Sequence, residues 1–170
     1  FIILFFFTTN IYAGGYDVFS IGYYDIKFDG SATNDAVDLR YERRFDYNLI
    51  PVGPKQEVFF NLKPFVGIEF TSDSASYLLG GVYLEDNLGT LITGEESNFI
   101  LTPSFGVGMY DDGDGKKLGS STEFRTTIEL SYQFENKNRI GLSFGHISNA
   151  ELGGKNPGVE IISISYQVPY

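Results

Sequence analysis

Apolar and polar positions alternate along most of the chain. Between Glu123 and Phe134 the even positions are apolar, aromatic or threonine, whereas the odd positions are polar or charged. This period of two is typical of a β-strand whose two faces meet different surroundings, and a helical period of 3.6 prevails over no stretch of about twelve residues. The alternation predicts eight strands, near residues 15–28, 36–45, 57–70, 75–85, 98–110, 122–134, 138–148 and 159–170.

Residues 1–13 differ from the rest, because ten of them are apolar or aromatic and none is charged. The run is too short to cross a bilayer as a helix, and it resembles the apolar region of a secretory signal that ends near Ala13. We therefore expect 1–13 to be the remnant of a signal peptide and 14–170 to form a single domain. A buried first strand is the alternative for residues 1–13.

Two all-β architectures share such a pattern: a soluble sandwich or lipocalin-like barrel, and a membrane barrel with its apolar face outward. The strands are long enough to cross a bilayer at a tilt, which takes about 9–11 residues. The final apolar alternation ends on the aromatic Tyr170, which resembles the last strand of bacterial outer-membrane barrels. The polar face also carries charges that suit a narrow interior: Arg40, Glu42, Lys63, Glu69, Arg125 and Glu129. The pattern therefore favours an eight-stranded antiparallel transmembrane β-barrel of the bacterial outer membrane.

Composition limits the chemistry that the chain can perform. The sequence has no cysteine and a single histidine, which excludes disulfides, cysteine-ligated metals and multi-histidine metal sites. A net charge of −10 argues against nucleic acid as a partner. Catalysis, if present, would rely on His146 together with carboxylates, hydroxyls or amides.

The last predicted hairpin contains the candidate catalytic residues. His146 and Ser148 are two positions apart on one strand and so project from the same face. A hairpin symmetric about Gly153 and Gly154 would pair His146 with Glu160, with Cβ atoms about 4.5–5.5 Å apart. An acid, an imidazole and a hydroxyl in this order form the constellation of a serine hydrolase, in which serine is the nucleophile and histidine the base. The rival motif Gly-Leu-Ser-Phe-Gly at 141–145 lacks the helix of an esterase elbow, and its Ser143 has lumen parity.

The three candidate residues share the parity of the apolar, lipid-facing side chains. Polar groups on that face are costly at mid-bilayer, so we expect them at a rim of the barrel. Glu160 precedes Tyr170 by about ten residues, which predicts the outer rim if Tyr170 is periplasmic. The substrate would then be a lipid of the outer leaflet, which is largely lipopolysaccharide.

The string Gly145 to Ala150, followed by Asn156-Pro157-Gly158 and Glu160, resembles the signature of the lipid A 3-O-deacylase (PagL-type) family. The resemblance implies an eight-stranded outer-membrane barrel with a lipid-facing triad of Ser148, His146 and Glu160. It also implies that Asn149 and Asn156 bind the oxyanion or position the substrate.

We therefore predict an outer-membrane esterase that hydrolyses an ester-linked acyl chain of lipid A, at the 3 position, without a cofactor or metal. The alternatives are a non-enzymatic eight-stranded barrel acting in adhesion or membrane integrity, and an outer-membrane phospholipid esterase. In the loop before the sixth predicted strand, Lys116 and Lys117 either contact lipid A phosphates or form a solubilising loop tip, and the loop tip is the favoured interpretation.

Overall fold

The computed structural model describes residues 14–26, 35–50 and 61–170. The predicted signal segment, residues 1–13, lies outside the described residues. Nine strands and one short helix are present in the described ranges. In chain order they are β1 Gly15–Tyr24, β2 Ala36–Phe45, β3 Lys63–Thr71, β4 Ser76–Tyr83, β5 Asp86–Asn87, α1 Leu88–Thr93, β6 Phe99–Asp111, β7 Thr122–Gln133, β8 Arg139–Ser148 and β9 Val159–Pro169.

Eight long strands form a closed antiparallel barrel. Each pairs with its neighbour in the sequence, β1 also pairs with β9, and β4 pairs with β6. The two-residue β5 adds to β6 beside this closure and is not a barrel strand. The eight predicted strands all correspond to long strands, although the predicted ranges 15–28 and 57–70 extend into residues outside the described part.

Many inward-facing side chains of the barrel are charged and paired with one another, and buried aromatic residues such as Phe65 and Tyr77 lie among them. Glu42 binds both Arg44, at 2.9 Å, and Arg125. Arg44 also reaches Glu129 at 2.7 Å, and Arg125 reaches Glu69 at 3.0 Å. Buried charges are tolerated when each has a hydrogen-bonded partner, so this arrangement explains why a narrow barrel can be filled with charges. We call these residues the lumen network: Arg40, Glu42, Arg44, Glu69, Arg125 and Glu129.

The outward-facing side chains are mostly apolar, and exposed apolar residues occur on every long strand, as Leu142 (60% exposed) and Ile164 (55%) illustrate. Aromatic pairs gather near the end where Tyr170 lies, with Tyr132 packed edge-on against Phe99 at a centroid distance of 5.4 Å. An apolar band bordered by aromatic residues is typical of outer-membrane barrels. The predicted membrane barrel is therefore confirmed, and the soluble alternatives are not supported.

The two ends of the barrel differ in their connections. We call the end that carries residues 14 and 170 and the turn at 134–138 the Tyr170 rim, and the opposite end the His146 rim. At the Tyr170 rim, the connection between β4 and β6 contains α1, which begins where the Thr90 N–H donates to Asn87 Oδ1 at 3.2 Å. It ends at Gly94, whose φ of 80° suits glycine. No helix in the described ranges is long and apolar enough to span a bilayer.

At the His146 rim, the loop between β6 and β7 folds down into the barrel mouth. Leu118 is fully buried, and the Lys116 ammonium binds the buried Asp25 carboxylate. Tyr110 Oη donates to the Lys116 carbonyl at 3.0 Å. Lys116 is thus a buried anchor of the loop, which corrects both sequence-based interpretations of this lysine, whereas Lys117 is exposed.

Candidate active site

His146 and Glu160 face each other across the β8–β9 pair, as the symmetric hairpin predicted. His146 Nδ1 lies 3.2 Å from Glu160 Oε1. The two side chains are 43% and 34% exposed, and both project from the outer, apolar side of the barrel. With the Nδ1 proton donated to the carboxylate, the lone pair of Nε2 points away from Glu160 and is free to accept a proton.

Ser148 is the last residue of β8 and has the same outward parity as His146. It is half-buried, and its backbone pairs with Phe124 of β7. Among the described residues, no hydrogen bond joins the Ser148 hydroxyl to the His146 ring. The structure thus brings the acid and the imidazole into contact and places the hydroxyl next along the same face. Nucleophile–base contacts are often looser before substrate binds.

Ser143, the serine of the rival motif, faces the lumen as its parity predicted. It is only 3% exposed, and its hydroxyl lies 3.3 Å from Arg40 Nη2. A lipid in the membrane has no path to a hydroxyl on the inside of this filled barrel. The glycine-serine-glycine match is therefore part of a strand and not of a nucleophile elbow.

Asn149 lies directly after Ser148 and holds the hairpin loop in place. Its side chain is fully buried, and Nδ2 donates to the carbonyls of Leu118 at 2.7 Å and Lys155 at 2.8 Å. Its backbone N–H donates to Asn156 Oδ1 at 3.0 Å. Both protons of the Asn149 amide are thus committed to backbone carbonyls, whereas the Nδ2 group of the exposed Asn156 remains available to a substrate.

The two residues after Asn149 have a left-handed backbone conformation that the sequence did not predict. Ala150 and Glu151 have φ values of 51° and 67° although neither is glycine. Left-handed non-glycine residues cost about 1–3 kcal/mol each and concentrate at functional sites. Within the described part of the chain, neither N–H has a hydrogen-bond acceptor, so both are donors without a partner beside Ser148. No residue type at 150 or 151 signals this conformation, which explains why sequence analysis missed it.

The described residues contain no group of three or more histidine and acidic side chains arranged to hold a metal. The site consists of one imidazole, one carboxylate, one hydroxyl and amide donors on an apolar surface. Such a set can perform acyl transfer through a serine nucleophile.

A family model described as lipid A 3-O-deacylase (PagL) matches residues 57–169, about two thirds of the chain. The chain belongs to this deacylase family. The family predicted from residues 145–160 is therefore confirmed, and the match extends over most of the barrel.

Among curated proteins, the lipid A deacylase PagL of Bordetella bronchiseptica is 39% identical over 76 residues. The aligned stretch covers 44% of this chain and 42% of that protein, so it spans less than half of the relative.

Among solved structures, the outer membrane enzyme PagL superposes with a TM-score of 0.68 at 19% identity, covering 91% of this chain and 99% of that one. Neisserial surface protein A superposes with a TM-score of 0.56 at 9% identity, covering 93% and 97%. At these identities the likeness concerns the fold, and it agrees with the closed barrel described above.

Proposed function

We propose that the protein is an outer-membrane esterase that hydrolyses the ester-linked acyl chain at the 3 position of lipid A. The observation that carries the proposal is the His146–Glu160 pair on the lipid-facing surface of a barrel whose family is that of the lipid A 3-O-deacylases. The pair is accessible to a lipid from the side of the barrel and closed to the lumen.

The proposed mechanism uses Ser148 as the nucleophile. His146 Nε2 takes the hydroxyl proton while Oγ attacks the ester carbonyl, and the Nδ1–H bond to Glu160 stabilises the imidazolium. His146 then protonates the departing 3-oxygen of the sugar, which leaves an acyl-Ser148 ester. A water deprotonated by His146 attacks this ester, releases the fatty acid and restores the Ser148 hydroxyl. No cofactor enters either step.

We assign the binding of the oxyanion to hydrogen-bond donors that have no partner among the described residues. The N–H groups of Ala150 and Glu151 follow Ser148 by two and three residues, and the Asn156 side chain is held next to Ser148 because its Oδ1 accepts from the N–H of Asn149. Preorganised donors of this kind stabilise the charge that develops in the transition state. Asn149 is assigned a positioning role, because its amide protons bind Leu118 and Lys155.

The depth of the site supports a substrate in the outer leaflet. Glu160 lies about ten residues before Tyr170, and at about 3.3 Å per residue and a tilt near 45° this spans roughly 23 Å. The apolar band of such barrels is about 25 Å tall. If the Tyr170 rim is periplasmic, the catalytic residues lie at the level where sugar and acyl chains of lipid A meet.

The test is deacylation of lipid A by the purified, refolded protein, followed by mass spectrometry of the products. We expect Ser148→Ala to reduce activity to background while the folded barrel forms normally, because a small rim hydroxyl adds little to stability. Ser143→Ala is the control and should retain activity. Loss of an acyl chain at a normal rate with Ser148→Ala would exclude this nucleophile, and cleavage of phospholipid instead of lipid A would change the substrate.

A further inference from the structure

Gly158 is the last residue of the hairpin loop and lies against the imidazole of His146. A Cβ atom built on Gly158 would lie 2.9 Å from His146 Cε1 and 3.6 Å from Nε2. Real Cβ contacts are almost never shorter than 3.0 Å, so any side chain at 158 would meet the ring. The glycine therefore leaves the space that the imidazole occupies.

The backbone around Gly158 is held firmly. Its neighbour Val159 is fully buried, as is Ile147, which pairs with Val159 across the hairpin. Gly158 itself has a φ of 60°, a conformation that glycine adopts at little cost. Because Val159 anchors the backbone directly after Gly158 and the nearest atoms are at the far end of the His146 side chain, an added Cβ would displace the imidazole.

Displacement of the ring would affect both contacts that the proposed triad needs. Nδ1 is bound to Glu160 at 3.2 Å, and Nε2 must face Ser148. We propose that Gly158 is a positioning residue: its missing side chain leaves room for the His146 ring against the loop, with Nδ1 on Glu160 and Nε2 toward Ser148. This inference rests on the function proposed above, and it concerns the ring's position and tautomer rather than the substrate.

The same loop provides a matched control. Gly154 also has a positive φ, 71°, but a Cβ built there has no atom within 4 Å. Alanine at either position suffers a similar backbone penalty, whereas only alanine at 158 meets the imidazole. The difference in deacylation rate and in tautomer between Gly158→Ala and Gly154→Ala therefore measures the effect of the contact with His146. A third variant, Gly158→Asn, keeps the Cβ while tolerating a left-handed backbone.

Two measurements test the proposal on protein refolded in detergent. The first is the rate of lipid A deacylation, for which we expect Gly158→Ala and Gly158→Asn to lower kcat about 10–100-fold relative to Gly154→Ala, the range for a catalytic group misplaced by about 1 Å. The second is the ¹⁵N spectrum of the imidazole, which is free of overlap because His146 is the sole histidine. At alkaline pH we expect a dominant Nδ1–H tautomer in the parent and in Gly154→Ala, and a loss of this preference in both Gly158 variants.

Each outcome decides the question. Equal rates and equal tautomers in Gly158→Ala and Gly154→Ala would overturn the proposal. So would a slow Gly158 variant with an unchanged tautomer, or a failure of both Gly158 variants to fold when Gly154→Ala folds. If the parent protein deacylates nothing, the proposed function fails, yet the tautomer comparison still tests the positioning of His146.

Discussion

The carboxylate of Glu160 is the part of the site whose chemical role is most easily isolated. Glu160→Gln keeps the size of the side chain but removes the charge that, in the proposed mechanism, stabilises the imidazolium during attack. We expect the rate of lipid A deacylation to fall about 10²-fold or more, with little change in KM. The measurement is steady-state kinetics on purified protein in detergent micelles.

The exposed Glu151 of the same loop provides the comparison for Glu160. Its carboxylate has no partner among the described hydrogen bonds, so Glu151→Gln leaves the contact between His146 and Glu160 intact. A Glu160→Gln rate within about threefold of the parent, together with a large loss in Glu151→Gln, would transfer the role of the acid to Glu151.

The two loop asparagines should respond differently to the same substitution. Asn156→Asp keeps the oxygen that accepts from the Asn149 N–H but removes the free amide donor. We expect kcat to fall about 10²–10³-fold, as for the loss of one oxyanion donor, with the stability of the barrel unchanged. Asn149→Asp removes two bonds to backbone carbonyls, so it should lower the thermal stability of the loop as well as the activity. A normal kcat with Asn156→Asp would exclude its amide from the oxyanion site.

At the residue scale, the features of the site that could be predicted are those that depend on which face of a strand each side chain occupies. His146 and Glu160 were expected to pair because strand alternation and hairpin symmetry are regular, and both hold here. The conformations of Ala150 and Glu151 and the contact of Gly158 with the ring depend on how an irregular loop closes, which has no periodic signal. Lys116 was misjudged because burial of a lysine requires a distant partner, Asp25, that the local sequence does not reveal.

The connection between β4 and β6 is anchored to the barrel by one ion pair at the Tyr170 rim. Glu85 Oε1 accepts from Arg139 Nη2 at 3.0 Å. Burial acts to raise the pKa of Glu85, but the hydrogen bond and charge of Arg139, together with the charges of Lys63 and Arg44, outweigh burial and hold that pKa below its ordinary value. Because the folded pKa is the lower one, the contribution to stability is present at neutral pH and is lost as the pH falls below about 4.3, the ordinary glutamate value.

We expect Glu85→Gln to lower the free energy of unfolding by about 1–2 kcal/mol at neutral pH. The effect is limited because Gln133 also accepts from Arg139, at 2.9 Å. The difference between parent and variant should shrink as the pH falls below about 4. Urea titrations of the protein in lipid vesicles at several pH values measure it. The control is Glu96→Gln, which removes an exposed carboxylate from the same connection and should have no effect; a pH-independent difference for Glu85→Gln would contradict the ion-pair explanation.

At the element scale, long strands were predictable and the short elements were not. β7 and β8 each present one apolar and one polar face, so alternation located them closely. The six-residue α1 is too short for its period to be detected, and it is defined instead by its caps, Asn87 and Gly94.

For the whole molecule, the decisive question is which rim faces the outside of the cell. The chain has no cysteine, so single cysteines are unique labels. We expect Lys117→Cys, at the exposed loop of the His146 rim, to react with an impermeant thiol reagent on intact cells. Glu135→Cys, in the exposed turn of the Tyr170 rim, should react only after the outer membrane is permeabilised.

Labelling of Glu135→Cys but not Lys117→Cys on intact cells would show the opposite orientation of the barrel and would place His146 and Glu160 at the inner leaflet. The overall architecture was predictable because one alternation pattern repeats eight times and a polar face rich in charges suits a narrow lumen. Closure between β4 and β6 follows from strand number and pairing, not from any single residue.

The lumen network has a consequence for the permeability of the cell envelope. A water-filled pore would leave its lining side chains wet, but Arg40, Glu42, Arg44, Arg125 and Glu129 are at most 4% exposed. Eight strands enclose just enough room for side chains, and here fixed ion pairs occupy that room. A solute entering from either rim meets a salt-bridged plug of buried side chains instead of an open channel. The cell can therefore carry many copies of this barrel without adding open pores to its outer membrane.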